Sequence, residues 1–458
     1  MSTVPRTGPS PEVTSVAQCV DWVASGATAS ARRVVGTEYE RLAVGPDGRV
    51  LPYDGPVSIR ALLERLVARH GWTPVLEAGC PVALTRGAAS ISLEAAGQLE
   101  YSGAPHATVA AMRDELARHR SELADVAADL GVRFAWVGYN PADHRPDTPE
   151  MPRERFAVMR RIFPSRGTTG VAMLDFTCAV QVSLDFTDAA ECLEMVRLGH
   201  ALTPVLIALF ANSPVAGGVD TGCRSWRGRI WPEVDPGRCG APPIVFDPAL
   251  SVEQLVDWAW DLPIYFLAER AADGEPRYRM LDQPLTFRQF VGRGLAGRRA
   301  TLADWMLHLS TCYPDLRPRR QLELRQCDAV PPEGALALPA LVQGLFYDPA
   351  TRRACLARLG DGDRRIDRVA LRAAACVAAL DADALGGTLR DLARDVITLA
   401  RAGQASRIAS GHTVPDPAAA EALDQLEAIV RGEAPPFWAT LAAGWARTPS
   451  LYALARPA

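Results

Sequence analysis

Two glutamates stand two apart in Gly36-Thr37-Glu38-Tyr39-Glu40, inside the strand-like run from Val34 to Leu42. Side chains alternate along a strand with a period of two, so Glu38 and Glu40 share a face. The alternation recurs from Ser90 to Glu100, where Ser92, Glu94, Gln98 and Glu100 oppose Ile91, Leu93 and Leu99. From Thr177 to Phe186 it sets Ala179, Gln181, Ser183 and Asp185 against Val180, Val182, Leu184 and Phe186. Leu322-Glu323-Leu324-Arg325 puts a carboxylate and a guanidinium on one face. Clustered carboxylates repel one another unless something neutralises them. If these strands share a sheet, its polar face holds up to five glutamates. Hard oxygen donors without cysteine or histidine suit Mg²⁺ or Mn²⁺. Several such ions beside arginines suit a nucleoside triphosphate, whose oxygens they would bridge. For one strand alone, a solvated outer face is the simpler reading. Four segments with the same pattern favour a site.

The cations narrow the chemistry further. All 49 positive residues are arginine; there is no lysine. A Schiff-base lysine, a Walker A lysine and a kinase-type lysine are therefore excluded. Arginine cannot be deprotonated in a protein, so none of these groups takes the proton of an attacking amine. A carboxylate, a phosphate oxygen or water is left for that. The seven histidines (His70, His106, His119, His144, His200, His308 and His412) are dispersed, and the ten cysteines form no C-x-x-C pair. Gly292-Arg-Gly-Leu-Ala-Gly297 matches G-x-G-x-x-G, but it follows a helix-like end and lacks a ribose-binding acid, so it reads as a loop. Trp226 and Trp231 flank Arg227 and Arg229 in a Gly-rich loop, a placement that suits packing and a site equally.

These residues need a scaffold. The chain has 458 residues, 48% apolar and 22% charged, which is ordinary globular chemistry. A net charge of −4 gives no basic footprint for nucleic acid. Helical spacing predicts helices over His106–Leu130 (stopped by Gly131), 187–211, 251–260 and Thr301–Leu309. Val132–Gly138 reads as a strand, 214–243 as a long loop, and the Ala/Leu/Arg/Asp-rich tail from about 335 as helices. One α+β domain over 31–458 follows, with a core over 31–350, a helical C-terminal part over 351–458, and a loose N-terminal arm over 1–30. The most apolar stretch, Ala201–Ala211, is too short to cross a bilayer and contains Pro204. The opening MSTVPRTGPSPE lacks a signal pattern. The expectation is a reduced, soluble, cytoplasmic protein, monomer or homodimer, acting on small molecules, with no membrane or nucleic-acid partner.

At these same segments the sequence resembles the glutamate–cysteine ligases of the plant and proteobacterial type, over about residues 34 to 350. The matching strings are G-T-E-Y-E at 36–40, S-I-S-L-E at 90–94, G-Q-L-E-Y-S-G-A at 97–104 and M-P-R at 151–153. T-C-A-V-Q-V-S-L-D-F at 177–186, A-L-F-A-N-S-P at 208–214, R-G-R-I-W at 227–231, T-L-A-D-W at 301–305, L-E-L-R at 322–325 and A-L-P-A at 337–340 follow in order. The resemblance implies a glutamine synthetase-like fold, a curved antiparallel sheet forming a funnel covered by helices. It implies ATP and two or three Mg²⁺ ions, with Mn²⁺ possible in their place. It implies that glutamate takes the γ-phosphoryl group of ATP on its γ-carboxylate. The amine of cysteine then attacks that acyl phosphate, as in glutathione biosynthesis.

By resemblance, Glu38, Glu40, Glu94, Glu100, Gln181 and Glu323 form the metal shell. Arg325 stabilises phosphate charge, Arg227 takes a substrate carboxylate with Trp231, and Tyr265 lines the acceptor pocket. Thr177 belongs to the same substrate-binding set. Two departures matter. Phe176 stands where the family usually has arginine before Thr-Cys, and Ser183 where it usually has asparagine after Gln-Val. An aromatic ring at 176 would select an amine lacking a carboxylate. The segment 270–300 has no cysteine, which predicts the absence of the redox hairpin of plant members. Arg86-Gly87-Ala88-Ala89 lacks the lysines usual there. A different amine acceptor or carboxylate donor is the second expectation, and a non-catalytic relative the third.

Overall fold

Alternating strands joined by tight turns build the centre of the molecule. The computed structural model describes residues 10–142, 148–270, 276–363 and 365–458. Nine strands form the main sheet: β1 (Val35–Val44), β2 (Thr73–Glu77), β3 (Cys80–Arg86), β4 (Ala89–Leu93), β5 (Gln98–Ser102), β6 (Arg133–Ala135), β7 (Ala179–Leu184), β8 (Leu316–Pro318) and β9 (Leu322–Asp328). Their spatial order is β8-β9-β7-β1-β5-β4-β3-β2, with β6 paired to β1. Every pair is antiparallel. The outermost strands do not pair with each other, so the sheet stays open.

Both faces of the sheet are covered. Tyr39, Val180, Val182, Leu184 and Leu324 join the main hydrophobic cluster, against the helices Ala189–Phe210 and Ala337–Tyr347. The opposite face carries Glu38, Glu40, Glu100, Gln181 and Glu323, and these too are buried. This polar face is not a fully exposed outer surface of the kind many antiparallel sheets present.

The helix expected over 106–130 is Val109–Ala128, and Gly131 follows it with φ +64°. The helices expected at 187–211, 251–260 and 301–309 are Ala189–Phe210, Val252–Asp261 and Leu302–Leu309. The Ala189–Phe210 helix has 22 residues and, by length and composition, is apolar enough to cross a membrane. The stretch from Ala201 is only its second half. Most of it is buried inside the protein, which makes it a core helix here.

Other expectations need correction. The strand expected over 132–138 spans only Arg133–Ala135, because Gly138 turns away to donate its N–H to Asn212 O. The loop expected over 214–243 contains the helix Trp226–Ile230, capped by Ser225. The arm is not loose from residue 10 onward. Its helix Val16–Ala24 buries Cys19 and Val23, and Val13 donates to Ala300 O; residues 1–9, like His144, lie outside the described residues. Not a correction but an addition is a two-stranded ribbon, Phe266–Arg270 with Pro276–Met280, which carries no cysteine. The helix-like end expected at Phe287–Phe290 is the helix Phe287–Arg293, and the expected loop begins just after it at Gly294, whose φ is +69°.

The tail is helical, with one short strand pair at Asp383–Ala384 and Gly387–Thr388. The helix Ala337–Tyr347 crosses Leu389–Ala409 closely. A Cβ on Gly344 would sit 2.0 Å from Ala400 O, and one on Gly403 2.0 Å from Gly344 O. Val35 and Leu426 belong to one hydrophobic cluster, so apolar packing is continuous from the sheet into the tail.

Candidate active site

Strand register gathers the carboxylates. On β1, Glu38 lies between Gln181 of β7 and Ser102 of β5, and Glu40 faces Glu100, which in turn faces Ser92 of β4. Glu323 of β9 faces Ser183 of β7. Between Leu324 and Cys327 the register shifts by a bulge. Arg325 shares the polar side with Glu323, and the bulge returns Cys327 to the apolar one, the re-aiming that bulges provide beside sites. Glu94 sits just past β4, in the turn before β5. That turn needs Gly97, whose φ is +87° and whose N–H donates to Glu94 O.

A cavity of about 810 Å³, part of it open to solvent, lies over this face. The sheet contributes Glu38, Glu40, Glu100, Gln181, Glu323 and Arg325, and the turn contributes Glu94. The opposite walls are helical: Arg155, Phe156 and Met159 from Glu154–Ile162, Met173 and Leu174 from Gly170–Phe176, and Arg227 from Trp226–Ile230. Thr177, Trp231, Ser310, Tyr313 and Arg317 complete much of the rim.

Ten of the thirteen residues singled out in the sequence line this cavity: Glu38, Glu40, Glu94, Glu100, Gln181, Glu323, Arg325, Arg227, Trp231 and Thr177. Three do not. Phe176 is buried against Tyr139 and Ile230, with ring centroids 5.7 Å from Tyr139. Tyr265 donates its hydroxyl to Asp235 Oδ2 (2.7 Å) and lies under the Arg238 guanidinium. Ser183 stays in the row with Glu323 and Gly36. Arg155, Arg317, Tyr313, Met159 and Met173 line the cavity without having been singled out. Arg317 alone had a signal: the Arg-Pro-Arg-Arg turn between two short strands pairs it with Glu323.

The carboxylates fall into two electrostatic groups. Arg317 Nε donates to Glu323 Oε2 (2.7 Å) and Arg325 Nη1 to Glu323 Oε1 (2.9 Å). Burial pushes Glu323 up, but these two guanidiniums overcome it and hold the group far below the usual carboxylate range. For Glu38, Glu40 and Glu94 burial outweighs the nearby cations. Burial, then Glu100 and Glu94, push Glu40 up to about 8, although Ala179 N–H (2.7 Å) and Gln181 Nε2 (2.9 Å) donate to it. Burial and Glu100 push Glu94 up to about 7. Burial, with Glu100 and Glu323, also raises Glu38. Ser92 and Ser102 hydroxyls donate to Glu100 Oε1 at 2.9 and 3.1 Å.

This donor set fits Mg²⁺ or Mn²⁺. It offers hard oxygens and excess negative charge, and Gln181 Oε1 is buried without a partner. Among the described residues, no three acidic, histidine or cysteine side chains are gathered to hold one ion by themselves. Mg²⁺ does not require that, because it commonly takes one or two carboxylates and fills its shell with water and substrate phosphate oxygens.

The raised carboxyls set a pH dependence. A folded pKa above the unfolded value of 4.5 gives stability that is complete below 4.5 and lost as pH rises through about 7 for Glu94 and about 8 for Glu40. The melting temperature of metal-free protein is therefore expected to fall between about pH 5 and about pH 9. Saturating Mg²⁺ should flatten the alkaline part of that fall, because ligands bind the metal deprotonated. Thermal melts in chelator and in Mg²⁺ measure both, and no difference in slope between them would refute the metal assignment.

The fold and site together define a ligase architecture. A solved glutamate–cysteine ligase from Francisella tularensis, in complex with AMP, superposes with a TM-score of 0.54 over 92% of this chain and 86% of that one, at 12% identity. The sequence profile of Glutamate-cysteine ligase family 2 (GCS2) matches residues 34–429, and the chain belongs to that family. Similar relatives are the chloroplastic glutamate–cysteine ligase of Medicago truncatula, 35% identical over 84% of this chain and 74% of the relative, and that of Arabidopsis thaliana, 36% identical over 84% and 72%. The expectation of a cytoplasmic protein is corrected here. The relatives named above are chloroplastic.

Proposed function

We propose that this chain joins the γ-carboxyl of glutamate to the amine of cysteine at the expense of ATP. The observation that carries the reading is the buried glutamate face beside four arginines in one cavity. A γ-carboxylate oxygen attacks the γ-phosphorus of ATP, and ADP leaves. The amine nitrogen then attacks the acyl carbonyl, and phosphate leaves. Charge stabilisation of the transferring phosphoryl group is the main demand on such a site.

Two or three Mg²⁺ ions, or Mn²⁺, held by Glu38, Glu40, Glu94, Glu100, Gln181 and Glu323, would neutralise the phosphate oxygens there. Arg325, clamped to Glu323, presents a fixed positive charge to the same wall. Arg227 is fixed as well: it donates to the main-chain oxygens of Gln326 (3.0 Å) and Arg325 (2.9 Å), and its guanidinium lies over Trp231. Arg227 therefore braces the bulge as much as it faces a substrate. No arginine serves as base, so a carboxylate, a phosphate oxygen or water takes the amine proton.

The ring at Phe176 packs away from the cavity. The argument from it for an acceptor lacking a carboxylate therefore has no support in this geometry, and cysteine is the acceptor proposed. Purified protein with ATP, Mg²⁺, glutamate and a panel of amines tests this through phosphate release and product mass. Cysteine is expected to give the highest kcat/KM. Another amine ranking above it would overturn the acceptor, and no ATP turnover with any pair would overturn the ligase reading.

A further inference from the structure

A second cavity of about 1210 Å³, part of it open to solvent, shares no lining residue with the glutamate cavity. It lies where the tail meets the start of the helix Ala189–Phe210. The helix Pro349–Arg358 contributes Arg352 and Arg353, and the helix Leu389–Ala409 contributes Ser406 and Arg407. Most charges here are answered within the wall. Arg33 pairs with Glu191 and donates to Tyr347 O (3.1 Å). Arg352 donates to Glu191 Oε1 and Glu194 Oε2, both at 2.8 Å. The two oxygens of Asp348 accept from Thr351 N–H and Ser406 Oγ, both at 2.8 Å.

Arg407 differs. It is only 6% exposed, yet its one hydrogen bond, Nη1 to Gln343 O, is 3.5 Å long, at the limit for such a bond. No carboxylate pairs with it among the described residues. Burial lowers its pKa, and the neighbouring Arg33 adds to this while Asp348 opposes it. The two guanidiniums share the Tyr347 ring, at 5.0 Å for Arg33 and 5.3 Å for Arg407. A buried cation held beside another cation, with its donors unanswered, is strongly unfavourable unless an anion reaches it.

We propose that this cleft is a second binding site, for a small molecule that seats a single carboxylate on Arg407. The planar fork of a guanidinium matches the two oxygens of a carboxylate. Four arginines and four acidic residues line the cleft. A polyanion therefore gains little from it as a whole, whereas one carboxylate gains the donors that the wall leaves open. The volume is ample for a small molecule. The site stands whether or not the ligase reading does, because it uses none of the glutamate face.

The test is calorimetric titration of the full chain, in chelator, with pyruvate, benzoate and N-acetylglycine as single carboxylates, and with citrate and inorganic phosphate as polyanions. At least one single carboxylate should bind wild type one to one, and the polyanions at least about tenfold more weakly. Arg407→Gln should weaken that carboxylate roughly 10- to 100-fold, the loss of one charge-assisted hydrogen bond. Arg407→Lys keeps the charge and most of the packing, and should still weaken it because the fork is lost. Glu94→Gln, in the other cavity, should bind the same probe as wild type does. Wild type that takes up no single carboxylate at tens of millimolar overturns the proposal, with no variant needed. Unchanged binding in both Arg407 variants, loss of binding in Glu94→Gln, or phosphate or citrate binding above every single carboxylate overturns it too.

Discussion

Glu94→Gln is expected to cost at least about a thousand-fold in kcat while leaving the fold intact. The side chain is nearly isosteric, and its position in the turn is set by main-chain bonds, Glu94 N–H to Gln98 O at 3.0 Å and Gly97 N–H to Glu94 O at 3.1 Å. Folding does not depend on its charge. In the metal-free protein that charge is a burden, since burial and Glu100 already push the group up to about 7. The amide should therefore melt no lower than wild type in chelator, and higher above about pH 7. The charge matters once cations and phosphate enter, where an amide oxygen is a weaker ligand than a carboxylate. Circular dichroism, melts in chelator and phosphate release check the three parts. Retained turnover would refute a metal role for Glu94, and a lower melting temperature in chelator would show that its charge is structural.

The polar face was legible because strand geometry is local. Period-two spacing in Gly36–Glu40, Ser90–Glu100 and Thr177–Phe186 assigns sides without knowledge of the partners, and the observed register places those sides together. The resemblance to glutamate–cysteine ligases supplied what spacing alone does not, the expectation that these strands share one sheet. Position through tertiary packing was not legible. Arg155 and Met159 sit on a helix whose sequence pattern only separates buried from exposed, and the helix meets the sheet through contacts far apart in the chain. Phe176 illustrates the opposite failure. It directly precedes Thr177, which lines the cavity, but it ends a helix, and that terminus turns its ring toward Tyr139. Adjacent residues at a helix end need not face the same space. The bulge at Arg325 and Gln326 has no local signature either, yet it decides that Cys327 returns to the apolar face.

Asp328→Ala is expected to destabilise the protein by about 3–5 kcal/mol, the range for breaking a buried charged network by removing one partner. Asp328 has no exposed side-chain surface. It accepts from Asn212 N–H (2.8 Å), Ser213 Oγ (2.6 Å) and Ser225 Oγ (3.0 Å), with Arg227 Nη1 at 3.9 Å. Burial pushes its pKa up, while Arg227 and these donors pull it down. Truncation strands three donors and removes the nearest counter-charge of a buried guanidinium. Repacking is blocked on one side by Gly138, where even a Cβ would lie 2.4 Å from the Asp328 carboxyl carbon. The loss reaches the cavity because the same network builds its wall. Ser225 caps the helix Trp226–Ile230, and Ser213 Oγ accepts the Arg227 N–H. Asp328→Asn keeps one acceptor but turns an NH₂ toward these donors, so its cost should fall between wild type and alanine. Denaturant melts order the three proteins, and kcat/KM should fall in the same order as Arg227 loses its brace. A loss below about 1 kcal/mol for alanine, within the range of an exposed ion pair, would mean that the carboxylate holds neither the helix nor the arginine in place.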